Sequence, residues 1–247
     1  MSEFDPHTHS IASGHATSCT ITDMAKKAVS LGLKMIGITD HGPATPYSCL
    51  PSYFRNLSFS PRERFGIEIM IGAELNILDN GGSVDLDHDI LKHLDYAIVS
   101  MHPQTFKPGT AAYNTAAYIR SMKHPSVKIL GHCDDSRFPV DYDALVKAAK
   151  EHRVLLEINN SSLRPDGYRG NARPNILSIL ECCARYSHPV VLSSDSHGTE
   201  HIGDFCLAAS LIEETAFPES LVLNNSLEAF KSFLNESYKG GYDHADD

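Results

Sequence analysis

Short apolar or β-rich runs recur along this chain at Glu3–Asp5, Met35–Thr39, Ile67–Gly72, Tyr96–Ser100, Lys128–Gly131, Val154–Ile158 and Val190–Ser193, with amphipathic segments of helical spacing between most of them. That alternation constrains the fold more than any other feature. Strands separated by helices pair in parallel, because a parallel partner is reached only by a crossover, and the crossing helices then cover the sheet. The predicted helices are Thr22–Leu31, stopped by Gly32, then Asp87–Leu94, Asn114–Met122, Tyr142–His152, Pro174–Tyr186, Ile202–Glu214 and Leu227–Ser237. About seven strands in one domain of 247 residues imply a closed or nearly closed α/β barrel, with an open doubly wound sheet as the alternative. The stretch Pro43–Arg64, rich in Pro, Ser and aromatics, reads as an insertion or lid over the strand ends.

Composition removes several function classes. Hydrophobic residues make up 42% and charged residues 21%, which is a globular and not a disordered balance. Acidic residues outnumber basic ones 31 to 21, a net charge of −10 that argues against nucleic acid or an anionic membrane surface as a partner. No run approaches the ~18 apolar residues of a membrane span, and the opening Met-Ser-Glu-Phe-Asp-Pro-His is no signal peptide. The six cysteines form no C-x-x-C pair and read as buried, reduced thiols of a cytoplasmic protein. One domain over residues 1–238 and a polar tail over 239–247 are expected.

The chain carries 14 histidines, and their placement is informative. His7 and His9 follow the first strand, with His15 in the next loop. His41, Glu74, His102 and His132 follow the second to fifth strands, and Asp195 and His197 follow the seventh. In a parallel barrel those ends converge on one face, where such folds keep their active sites. Side chains two apart on an extended segment point the same way, so His7-x-His9 and Asp195-x-His197 each aim two donors at one place. Imidazoles with carboxylates and no thiolate suit zinc, manganese or iron. His93, His124, His152 and His188 sit at predicted helix ends and read as dipole-facing caps. His88 and His244 read as exposed, and His201 as a neighbour of the cluster.

These segments, Asp5-Pro-His-Thr-His9, Ile38-Thr-Asp-His-Gly42, Gly72-Ala-Glu74, the isolated His102 and His132, and Ser194-Asp-Ser-His197, resemble the PHP (polymerase and histidinol phosphatase) superfamily. Gly14-His-Ala16, Asp40-His-Gly-Pro43, Gly72-Ala-Glu-Leu-Asn-Ile77 and Leu156-Glu-Ile-Asn-Asn-Ser-Ser162 resemble its YcdX-like phosphatases. The similarity runs from the N-terminus to about Asn225. One departure is Pro6, where an aliphatic residue is more usual. The resemblance implies a distorted (β/α)7 barrel with three divalent metal ions, zinc first and manganese or iron as alternatives. His7, His9, Glu74 and Asp195 would hold one ion, His15, His41 and His197 a second, and Glu74, His102 and His132 a third, with Glu74 bridging.

A net positive centre in an acidic protein favours a compact anion. The expected activity is hydrolysis of a small phosphomonoester by a metal-bound hydroxide held by Glu74, Asp195, His7 and His9. A phosphodiesterase or nuclease, or a non-catalytic metal-binding regulator, are the alternatives. Asp5 and Asp40 adjoin ligands and are expected to orient imidazoles. Arg164, Arg169 and Arg173, with Asn160, are the expected substrate contacts, because guanidinium forks match phosphate oxygens. Homo-oligomer formation is left open.

Overall fold

The computed structural model describes residues 2–236. In chain order the elements are β1 (Phe4–His9), α1 (Ile21–Ser30), β2 (Met35–Ile38), α2 (Pro51–Leu57), β3 (Glu63–Arg64), β4 (Ile67–Asn76), α3 (His88–Leu91), β5 (Tyr96–Ser100), α4 (Ala111–Ser121), β6 (Val127–Leu130), α5 (Tyr142–His152), β7 (Leu155–Asn159), α6 (Ala172–Tyr186), β8 (Val190–Ser193), β9 (Ser196–His197), α7 (Cys206–Glu214) and α8 (Leu227–Asn235). The helix starts follow ordinary capping chemistry. Thr20 and Asp23 form a reciprocal box at α1, and Thr110, Asp141 and Ser226 accept the first free N–H groups of α4, α5 and α8.

The strands form one sheet in the order β8-β7-β6-β5-β4-β2-β1-β9, all parallel, with β3 added antiparallel to β4. β8 and β9 are neighbours in sequence yet occupy opposite edges of the sheet, so the sheet curls on itself. The barrel expected from the strand–helix alternation is therefore present, although β1 and β8 share no ladder. Side chains close that seam. Asn224 accepts from the Leu192 N–H and donates to the Leu192 and Phe4 carbonyls. Asp5 accepts from the N–H groups of Ser194 and Gly203.

Period-two alternation sorts the strand residues into two cores. Ile36, Ile38, Ala97, Val99, Leu156, Val190 and Leu192 face the helices. Phe4, Met35, Met70, Tyr96, Ile98, Ile129, Leu155 and Val191 fill the lower interior, which α8 plugs by stacking Phe230 on Phe4 at 4.5 Å between ring centres. Above this layer the inward positions are small. A Cβ on Gly37 would lie 2.1 Å from the Tyr96 hydroxyl, and one on Gly131 would lie 2.2 Å from Ser100 Oγ. The polar residues of the rim stand above them.

Several boundaries differ from the sequence reading. β1 runs on through His7 and His9, and β4 runs on to Asn76, so three expected ligands lie within strands and not after them. The β1–β2 register slips between Asp5 and Thr8, around Pro6, and this slip lets Phe4 and His7 both face inward although they are three apart. The Pro43–Arg64 stretch contains α2 and β3; α6 begins two residues before Pro174, and α7 begins at Cys206 instead of Ile202. His188 is buried and donates to the Val154 carbonyl, a loop partner and not a helix end. The expected polar tail and His244 lie outside the described residues.

Candidate metal centre

The rim residues converge at the carboxyl ends of the strands. His7 Nε2 and His9 Nε2 stand 3.0 Å apart, each 3.5 Å from Glu74 Oε2. Asp195 Oδ1 lies 3.2 Å from His9 Nε2 and 3.7 Å from His7 Nε2. Glu74 faces both ways: Oε2 is 2.7 Å from His41 Nδ1, while Oε1 is 2.8 Å from His132 Nε2 and 3.4 Å from His102 Nε2. His197 stacks on His9 at 4.2 Å, and His15 lies 5.0 Å from His41 and 4.8 Å from His197, ring centre to ring centre. Three overlapping trios place their donor atoms within 4.8 Å of one another: His9, His41 and His197; His7, His9 and Asp195; and His41, Glu74 and His102. The structure thus brings all nine predicted metal-type residues to one rim. His132 and Asp195 sit there with φ of 26° and 51°, strained for residues with a side chain.

Outer partners orient most of the rings. Nδ1 of His7 meets Glu157 Oε1 at 2.6 Å, that of His9 meets Ser13 Oγ at 3.0 Å, and that of His102 meets Asn76 Oδ1 at 2.7 Å. His15 and His197 direct Nδ1 at the carbonyls of Ser13 and Asp195. With Nδ1 as donor, each Nε2 keeps its lone pair for the centre. The acceptors are themselves fixed. Ser13 donates to Asp40, which also takes the Tyr53 hydroxyl at 2.6 Å, and the Asn76 amide donates to Asp85 at 2.6 Å. Asp40 is thus placed to support His9, whereas Asp5 supports the loop that carries Asp195. Glu157, Asn76, Asp85 and Tyr53 were given no role in the sequence reading, although Asn76 and Glu157 lie in segments that carry the family resemblance. For Glu157 the local signal was a carboxylate within the apolar run Leu155-Leu156-Glu157-Ile158.

The donor set fits divalent ions. Buried Glu74 Oε2, His102 Nε2 and His197 Nε2 have no hydrogen-bond partner, an arrangement that folded proteins avoid unless something fills it. Burial works against a charge on His7, but the carboxylates of Glu157, Asp195 and Glu74 outweigh it and hold the His7 pKa well above the imidazole range. Burial, with His197 and His41 nearby, holds His9 well below it. The two facing nitrogens, 3.0 Å apart, lie where a cation would relieve their repulsion. Burial also opposes the charges of Glu74 and Asp195. Even so, both pKa values are held well below the usual carboxylate range, by His41, His102 and His7 for Glu74 and by Arg169 and His7 for Asp195.

Residues 5–162 match the family model of the PHP domain. A probable phosphatase of Caldicellulosiruptor saccharolyticus is 42% identical over 232 residues, covering 94% of this chain and 95% of that protein. The chain belongs to the PHP domain family. A probable phosphatase of Clostridium novyi is 37% identical over 235 residues, covering 95% of each protein. Among solved structures, the histidinol phosphate phosphatase of Lactococcus lactis, determined with zinc, L-histidinol and phosphate, shares the fold with a TM-score of 0.60 at 18% identity, over 87% of this chain and 94% of that one. The metal-dependent tyrosine phosphatases YwqE of Bacillus subtilis and CpsB of Streptococcus pneumoniae give a TM-score of 0.58 at 18% identity, over 94% and 93%. The family and these curated relatives place the chain among PHP-type phosphatases.

In this PHP domain His15, His41, His102, Asp195 and His197 of the cluster line a cavity of ≈440 Å³, with Thr45, Gln104, Ser161, Tyr168, Glu200 and His201 around them. None of the four expected substrate contacts is among its lining residues. Arg164 pairs with Asp166 and Arg173 with Glu214, both near solvent. Asn160 Oδ1 accepts from the N–H groups of Leu207 and Ala208 at the start of α7. Arg169 alone reaches the cluster: only 3% exposed, it donates to Asp195 Oδ2 at 2.6 Å and to Ser162 Oγ at 3.2 Å, with Tyr168 across its guanidinium at 5.0 Å.

Proposed function

We propose that this PHP-type phosphatase hydrolyses small phosphomonoesters at a centre of three divalent ions, zinc first and manganese or iron(II) as alternatives. The observation that carries the reading is Glu74, whose Oε2 faces His7, His9 and His41 while Oε1 faces His102 and His132; the three donor trios share His9 and His41. In this reading His7, His9, Glu74 and Asp195 hold one ion, His15, His41 and His197 the next, and Glu74, His102 and His132 the third.

Bound there, divalent ions would supply a water acidified to near-neutral pKa and charge neutralisation for the phosphoryl oxygens. The chain's own residues do the rest. Glu157, Ser13 and Asn76 keep three rings from rotating, so no reorganisation is needed when substrate arrives. Arg169 pins Asp195 Oδ2 and leaves Oδ1 toward His7 and His9. The ≈440 Å³ cavity has room for a compact ester, within the usual range of about 300–1,000 Å³ for small-molecule clefts. We assign the protein to the cytoplasm as a single domain, which its six unpaired cysteines support. No helix among the described residues is long and apolar enough to cross a membrane.

The test compares p-nitrophenyl phosphate with bis-p-nitrophenyl phosphate on zinc- or manganese-loaded protein. The expected result is phosphate release from the monoester at least ~10-fold faster than turnover of the diester, which amounts to about 1.4 kcal/mol of barrier. Faster turnover of the diester would replace this reading with a phosphodiesterase.

A further inference from the structure

Glu157 lies on the inner face of β7 with no exposure to solvent, and none of the ion assignments uses it. Four groups donate to its carboxylate. Oε1 accepts from His7 Nδ1–H at 2.6 Å and from the Ser193 hydroxyl at 2.5 Å. Oε2 accepts from the backbone N–H of His132 at 2.6 Å and from the Asn159 amide at 3.1 Å. One carboxylate therefore meets the ring of one rim histidine and the backbone of another. The second bond meets His132 where its backbone is strained, at φ 26°.

We infer that Glu157 is a positioning residue of the centre: it fixes the His7 ring with Nδ1 protonated and Nε2 open to an ion, and it anchors the start of the His132 loop. The inference rests on the metal-centre reading above. Its two oxygens are not equivalent. A backbone N–H only donates, so an acceptor must face His132. In the Glu157→Gln variant the carboxamide oxygen is claimed by that N–H, and the NH2 group turns toward His7 and Ser193. The serine hydroxyl rotates to accept. His7 must accept at Nδ1, and its proton moves to Nε2, the nitrogen that faces His9 and Asp195. An Nε2 that carries a proton is no ligand. The exchange thus moves one proton with almost no change of shape, and a merely space-filling role for Glu157 would not respond to it.

The experiment measures zinc affinity and stoichiometry for wild type and Glu157→Gln by competition with a chelating dye. Melting curves of the zinc-free proteins and ring-nitrogen NMR of the zinc-loaded wild type accompany it. The expected result is a zinc-free variant that melts close to wild type yet binds the ion facing His7 about 10–100-fold more weakly. The loaded wild type is expected to show His7 protonated at Nδ1 and zinc-shifted at Nε2. Wild-type zinc affinity in Glu157→Gln, or an unprotonated His7 Nδ1 in the loaded wild type, overturns the inference. The spectrum decides alone if the variant does not fold. A wild type that takes up no zinc overturns the metal-centre reading and this inference with it, whereas normal loading of both proteins overturns this inference only.

Discussion

At the scale of single residues, the rim is held by side chains packed behind it. Arg169 illustrates this. A loop with three arginines suggests phosphate recognition, because guanidinium forks fit phosphate. In the structure Arg164 and Arg173 form ion pairs near solvent with Asp166 and Glu214, while Arg169 is enclosed against Asp195. Removing one partner of a buried pair costs about 3–5 kcal/mol, and each kcal/mol shifts the melting point of a chain this size by about 2–4 °C, so Arg169→Ala should melt roughly 10 °C lower. Exposed pairs contribute about 0–1 kcal/mol, and Arg164→Ala and Arg173→Ala should each shift the melt by less than about 4 °C. Thermal melts of the three variants check this, and equal shifts would contradict the assignment of Arg169 to Asp195. Monoester turnover should fall only in Arg169→Ala.

At the scale of elements, the barrel strands must change character along their length. Their lower halves are apolar, their middles small, and their upper ends polar. Gly37 shows why the middle is small, since a Cβ there would meet the Tyr96 hydroxyl at 2.1 Å and the Pro6 carbonyl oxygen at 2.6 Å. Overpacking of this kind costs about 1–3 kcal/mol, so Gly37→Ala should lower the melting temperature by about 2–12 °C; an unchanged melt would show that β1 and β5 can yield there. The same layering explains what was legible in the sequence. The apolar lower halves announced seven strands, and the histidines and carboxylates near their ends marked the rim. The upper parts of β1 and β4 were not legible as strand, because His7, His9, Glu74 and Asn76 are polar and only the site explains them there. The orienting roles of Glu157, Asn76 and Asp85 were missed for a related reason: their partners are 150, 26 and 9 residues away, so the sequence does not show what each one faces. The Pro6 departure proved local, since the strand register slips around it and the next residues still face inward.

At the scale of the whole molecule, the site sits where the sheet needs help to close. β1 and β8 share no ladder; Asn224 and Asp5 bridge them, and His7 and His9 on one side face Asp195 on the other. An ion held between those groups would tie together strands about 190 residues apart in sequence, so that binding stabilises the fold by mass action. The most direct measurement of this account is anomalous diffraction at the zinc edge from crystals of the reconstituted protein. The account predicts three zinc peaks among His7, His9, His15, His41, Glu74, His102, His132, Asp195 and His197, with Glu74 between two of them. A folded protein that shows no anomalous peak at this rim after reconstitution would contradict it.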